Sequence, residues 1–359
     1  MAGTSRTKRV TSTRIAELSG VSQPVVSSVL AEAEGRSSSS SVRYSDETRR
    51  RVLETAARLG YRPNRAARTL VRGRHHALGI LVHNWGYVGM EFLEGASAAA
   101  WEHDQSLVLA PMPAPGEDDE FIPSIVAEDS VDGIIVLEDL PGSVEREIDR
   151  HKIPTAWVNT NRREGPGCVT CDEVGSARLA VEHLVETGRR RVGGIFTPGS
   201  HFSDAARRTG LEQGAEEFDL PQPPLLMLEK SVFDTTCWAE VEAEIQDFLE
   251  TERAMDAVLL SVDGIAPRLY RAARRAGVEI PDDLAVVGIN DSPFSSQIIP
   301  TLTTLRVMRE EMARRAVEML MDSLDGELEL EGPVAFAHEL MIRESTQGTA
   351  KNTEEIMPG

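Results

Sequence analysis

Few residues in this chain have the types and spacing for covalent or metal chemistry. Cys168 and Cys171 have CxxC spacing, but no second pair or nearby His completes a ligand set, and the segment around them is strand-like. The acidic run from Glu117 to Glu120 reads as favourable charge at the start of a helix. His75 and His76 read as a solvated linker, and His183 suits the last turn of a helix as a packed or dipole-matched residue. The sequence contains no Gly-x-x-x-x-Gly-Lys-Ser/Thr, no Gly-x-Ser-x-Gly and no His-Glu-x-x-His. No nucleophile, base and orienter assemble from local spacing, so neither an enzyme nor a metal or cofactor site is expected. The remaining chemistry is binding: Arg65, Arg68, Arg72 and Arg74 crowd one short segment, and guanidinium forks suit phosphate oxygens.

The elements that must position these groups are constrained by length and charge. At 359 residues the chain is long enough for two or three domains, and 41% apolar residues supply a sizeable core. Its apolar runs, such as 77–82 and 256–262, are far too short to span a bilayer. The first residues lack the apolar stretch of a secretion signal, so a cytoplasmic location is expected. Three cysteines make no disulfide framework. The net charge of −20 hides an asymmetry: residues 1–74 hold 15 Lys+Arg against 6 Asp+Glu, leaving 23 against 52 for the rest. A head of +9 on a body of −29 is the footprint of a nucleic-acid-binding module joined to something else.

In the head, Thr11 is placed to cap a short helix running from Ser12 to about Leu18, which Gly20 ends. Ser22 can cap a second helix from Gln23 to about Ala31, with Pro24 in its first turn, where a missing N–H costs little. Val21, Val26, Val29 and Leu30 share one helical face. Two short helices joined by a Gly-containing turn are a helix-turn-helix, whose second helix enters the major groove. Ser45 caps a third helix that buries Val52, Leu53, Ala56 and Leu59. A fourth helical segment, from the Asn64 cap to Gly73, is too short to be stable alone in water and is expected to form against DNA phosphates and a partner helix.

Val10-Thr11, Ile15-Ala16, Leu18 to Ser22, Val26-Ser27, Ser45 to Arg49, and Gly60-Tyr61-Arg62-Pro63-Asn64 through Gly73 closely resemble the head of LacI/GalR-family transcriptional regulators. The resemblance runs, with gaps, along nearly the whole chain. It implies a helix-turn-helix head over 1–63 and a hinge helix and linker over 64–76. It further implies that a dimer reads a palindromic double-stranded DNA operator, with a ligand controlling affinity and repression as the outcome. The implied DNA-binding residues are Thr11, Ser12, Thr13, Ser22, Gln23, Pro24, Ser27 and Ser28 in the head, and Asn64, Arg65, Ala67, Arg68 and Leu70 in the hinge. Leu70 matches the leucine that the family wedges into the minor groove. Ser28 stands where the family usually has Arg, Pro24 offers no donor, and Arg14 replaces an acid. Residues 31–41 are about eight longer than the family norm and contain the Ser37–Ser41 run.

From Ala77 the pattern alternates between strands and helices. Strand-like runs occupy 77–82, 106–109, 131–136, 155–158, 192–196, 257–260 and 284–289. Amphipathic stretches occupy 88–103, 173–186, 203–218, 235–249 and 264–276. Such alternation calls for parallel sheets covered on both faces. By resemblance, 77–346 is a periplasmic-binding-protein-like effector-binding and dimerisation core of two Rossmann-like subdomains. The first is expected over about 77–171 plus 303–325 and the second over about 172–300 plus 326–346, with a flexible tail at 347–359. The overall fold class is therefore α/β.

Ligands in such sheets sit at the carboxyl ends of strands, here at 83–85, Glu138, Asn159, Asp172, 197–202, 261–263 and 290–291. The resemblance assigns effector contacts to Trp85, Asp172, Arg207, Phe233, Asp263, Asn290 and Asp291, with Val262 replacing the usual Asn of the family's Ala-Asn-Asp. A planar fork and carboxylates facing a cleft suit a small polar, sugar-like effector. The body alone resembles a solute-binding protein, a reading that the basic head argues against. Residues 347–359 show no apolar heptads, so a homodimer is expected and not the coiled-coil tetramer of some relatives.

Overall fold

The structure is a computed structural model that describes residues 10–33, 42–61, 74–82, 89–113, 120–199, 201–326 and 330–348. The chain divides into two compact units, a head up to His75 and a body from His76.

In the head, α1 (Ser12–Ser19), α2 (Gln23–Ala33) and α3 (Asp46–Arg58) pack around Ile15, Val26, Val29 and Val52. Thr11 and Ser45 cap α1 and α3 through their hydroxyls, and Gly20 leaves α1 at φ 63°, a conformation that favours glycine.

Among the described residues, the body contains two six-stranded sheets. The first, in the order β11-β5-β4-β3-β1-β2, is parallel throughout: β1 (Ala77–Val82), β2 (Ser106–Pro111), β3 (Gly133–Val136), β4 (Thr155–Val158), β5 (Cys168–Cys171) and β11 (Val334–Phe336). The second has the order β12-β10-β9-β8-β6-β7: β6 (Val192–Phe196), β7 (Leu225–Met227), β8 (Ala257–Leu260), β9 (Ala285–Ile289), β10 (Thr303–Arg306) and β12 (Glu339–Met341). Only its edge strand β12 runs antiparallel.

Central strands are buried on both sides and read as continuous Val/Ile/Leu/Ala runs, as parallel sheets under helices require. The first sheet has α4 (Met90–Glu102) and α11 (Arg309–Leu324) on one face; α5 (Ser124–Ala127) and α6 (Gly142–His151) belong to the other. The second has α7 (Glu173–Glu186) and α8 (Phe202–Glu217) on one face and α9 (Trp238–Thr251) and α10 (Ala266–Ala276) on the other. Gly210 lets α8 press against the backbone of Val174, where a Cβ would overlap the carbonyl oxygen.

The chain crosses between subdomains after Cys171, after Arg306 and after Phe336. The sequence-based partition therefore needs correcting in its pieces 303–325 and 326–346. Thr303–Arg306 belongs to the second subdomain, because it pairs with β9, and Val334–Phe336 belongs to the first, because it pairs with β5. Helix α11 alone lies where the 303–325 assignment put it.

Candidate functional site: the head face and the interdomain cleft

In the head, the exposed face of α2 carries Gln23, Pro24 and Ser27, with Ser22 just before it. Gln23 Nε2 donates to Ser12 Oγ at 3.2 Å, tying the second helix to the first turn of α1. Thr11 and Thr13 are exposed and Ser12 is half-buried. Ser28 differs from expectation: it is 3% exposed, on the same side of α2 as Val29, so its hydroxyl has no route to a base edge. Asn64, Arg65, Ala67, Arg68 and Leu70 lie outside the described residues, as does Trp85 in the body.

In the body, β5 ends at Cys171, and Asp172 makes the first crossing. Its amide donates to Phe336 O at 2.8 Å, and its carboxylate caps α7 by accepting from Gly175 N at 2.9 Å. A cavity of about 350 Å³ opens here, lined by Arg163, Thr170, Asp172, Glu173, Phe202 and Ala335 among others. Asp172 is exposed into it. The wall also contains Cys171, on the opposite face of β5 from Cys168; the two thiols belong to different cores, which is why the CxxC spacing builds nothing.

Arg207 lies one turn into α8, on the helix face that carries Ala206, Gly210 and Leu211. It is buried behind the cavity wall and its donors are committed internally. Nε and Nη2 reach the two oxygens of Glu173 at 2.8 and 3.0 Å, and Nη1 donates to Ser261 O at 2.7 Å. Burial alone would raise the Glu173 carboxyl, but Arg207 holds it below the usual carboxylate range. His338, just past β11, bonds Ser176 Oγ through Nδ1 and presents Nε2 to Glu173 Oε2 at 3.7 Å. Burial pushes this imidazole down to about 4, so it is neutral near pH 7.

Cys171, Glu173 and His338 are the one group of described residues whose ligand atoms lie close enough for a metal, within 4.8 Å of one another. They fit one poorly. Both Glu173 oxygens are already held by Arg207, and burial raises the Cys171 thiol far above its ordinary range.

After β8, Asp263 is fully buried at the start of a 3₁₀ turn (Asp263–Ile265). It accepts from Ser292 N at 2.6 Å, Ser295 Oγ at 3.0 Å and Thr304 Oγ1 at 2.6 Å. Gly288 leaves room for this carboxylate, since a Cβ there would overlap it. Asp291, at φ 50°, is clamped by Arg306 (Nε, 2.8 Å) and Arg343 (Nη2, 2.6 Å). Asn290 accepts twice from Arg309, at 3.0 Å each. In the structure these three residues, expected as effector contacts, are held by hydrogen bonds between loops and strands. Phe233 is 65% exposed, its ring against Gly264, and does not line the cavity.

Two hydrogen bonds join the subdomains beside the cavity. His201 Nε2 donates to Asn159 O at 2.9 Å, and Phe202 N donates to Asn161 Oδ1 at 2.7 Å. Arg163 lies over the Phe202 ring at 5.2 Å. Asn159 Oδ1 and Thr160 Oγ1 are buried with no hydrogen-bond partner among the described residues. Sequence reading missed Glu173, His338, Arg163 and Asn161. For Glu173 a signal existed: an arginine on an apolar helix face, at Arg207, demands a buried counter-charge.

Residues 181–346 match the family model of the periplasmic binding protein-like domain. The chain is 28% identical to the HTH-type transcriptional regulator CelR of Thermobifida fusca, over 95% of this chain and 99% of that protein. It is 26% identical to the HTH-type transcriptional regulator GntR of Pseudomonas aeruginosa, over 84% and 88%. In fold it is similar to the lac repressor dimer bound to operator and the anti-inducer ONPF, with TM-score 0.76 and 22% identity over 94% of this chain and 99% of that one. These relatives, similar along most of their length, are HTH-type transcriptional regulators. No helix among the described residues is long and apolar enough to cross a membrane.

Proposed function

We propose that this chain is a LacI/GalR-family transcriptional regulator, a cytoplasmic repressor that binds a palindromic operator as a homodimer and takes a small, sugar-like effector in the cavity at Asp172. The observation that carries the reading is the pairing, in one chain, of a basic three-helix head with an acidic two-sheet body. That body holds a cavity of about 350 Å³ at the carboxyl ends of its strands. Gln23, Pro24 and Ser27 face the bases, Thr11 and Thr13 the phosphates, and the hinge residues Asn64, Arg65, Ala67, Arg68 and Leu70 the minor groove. A solved structure similar to this chain in fold is a complex of a transcriptional regulator CelR with cellobiose, which supports a carbohydrate class for the effector. Coupling between effector and operator is expected at about 1–3 kcal/mol and must be reciprocal.

Selection of duplexes from a random library, followed by fluorescence anisotropy at two salt concentrations, tests this reading. The expected result is a two-fold symmetric consensus bound far more tightly than scrambled DNA. Weak, sequence-blind binding with a steep salt slope would overturn it.

A further inference from the structure

We infer that Glu173 sets the charge selectivity of the cavity: by occupying Arg207 from within the chain, it makes a site for an uncharged polyol and excludes sugar acids and sugar phosphates. The inference rests on the proposal that this cavity is the effector site. Glu173 lines the cavity, whereas Arg207 lies behind it. The carboxylate therefore stands between the incoming molecule and the strongest anion-binding group nearby. It meets the guanidinium in the two-point geometry that a ligand carboxylate would otherwise adopt, and Ser261 O accepts from the remaining Nη1. Among the remaining charged groups of the wall, Arg163 and Asp172 offset one another, and Arg163 is stacked on Phe202. An anionic ligand would have to displace Glu173 and leave a second carboxylate buried without a partner, which is costly. An uncharged polyol pays no such penalty, and its hydroxyls can donate to the exposed Asp172 carboxylate.

Replacing Glu173 by Ala removes CH₂–COO⁻, the atoms of acetate, and exposes Arg207 to the cavity. The test is thermal unfolding of the full-length chain in sodium acetate and in sodium glucuronate, each against sodium chloride at equal ionic strength. Wild type is expected to respond to neither carboxylate beyond the chloride control. Glu173→Ala is expected to gain a saturable rise in melting temperature, with acetate binding at least about tenfold tighter than to wild type. The gain is expected to vanish when Arg207→Met is added. If Glu173→Ala fails to fold in chloride, refolding in acetate is expected to restore it. Saturable, Arg207-dependent stabilisation of wild type by either carboxylate would overturn the inference. So would a folded Glu173→Ala without a carboxylate response, or a variant that acetate does not rescue. These readouts concern only the cavity wall, so they stand apart from the operator selection: wild-type carboxylate binding would remove the selectivity and leave the regulator reading intact.

Discussion

Asp172 and Asp263 both follow strands of the body's two sheets, both precede helices, and both carry a carboxylate at the end of a strand where a ligand is expected. Asp172 gives one oxygen to its own helix cap and turns the rest of its carboxylate toward the cavity. Asp263 is sealed, with three donors from two other segments converging on it. The residue type is the same, and the number of internal donors decides whether the group is available to a ligand or braces the fold. Arg207 repeats the lesson, since a neighbouring acid on α7 has taken the fork.

The contrast can be broken most directly at the sealed end. Asp263→Ala leaves a backbone N–H and two hydroxyls buried without an acceptor and is expected to cost about 4 kcal/mol in urea unfolding. A loss under about 1 kcal/mol would mean that these donors find other partners and that the site is open after all.

Acidification separates the two ends by sign. At the open end, His338 is depressed to about 4 in the fold, so the unfolded chain takes up its proton first. Stability is expected to fall by about 3 kcal/mol between about pH 6.5 and pH 4, reinforced below that as Glu173, itself held low, protonates. Burial raises Asp263, so its protonation is easier in the fold and contributes in the opposite direction, gaining stability as pH falls. His338→Gln is therefore expected to flatten the acid limb of the stability curve, and Asp263→Ala to steepen it relative to the curve's own maximum. Equal slopes in all three proteins would remove the distinction.

The smallest effect belongs to Asp172. Asp172→Ala loses a helix cap and is expected to cost about 1 kcal/mol while weakening the effector response, measured as the ligand-induced change in operator affinity. A variant that loses the cap energy but keeps the response would take Asp172 out of the site.

Much of the fold was legible in the sequence because apolar runs under parallel sheets are long-lived signals. Strands 77–82, 155–158, 192–196 and 257–260 and helix 173–186 fall where periodicity places them. What escaped were edge strands of three residues, too short to display a period, such as Leu225–Met227, Val334–Phe336 and Glu339–Met341, and the charged helix Gly142–His151. The crossings were misassigned because strand pairing is a long-range property: nothing local tells Thr303–Arg306 that it adds to β9. In the site, the strand-end positions of Asp172, Asp263 and Asp291 were legible, but their availability was not. That depends on Ser292, Thr304, Arg306 and Arg343 arriving from distant segments. Ser28 fell on the buried side of α2, where it is 3% exposed, a placement that its polar side chain does not announce.

The two bonds that span the subdomains beside the cavity also bear on time. Each uses one main-chain group, the Asn159 carbonyl and the Phe202 amide, so no single side-chain deletion removes both. For a molecule that enters or leaves past them, both bonds are expected to break together. The observed association rate is then expected to level off at high ligand concentration, at the frequency of that opening, and the residence time to follow the same clock.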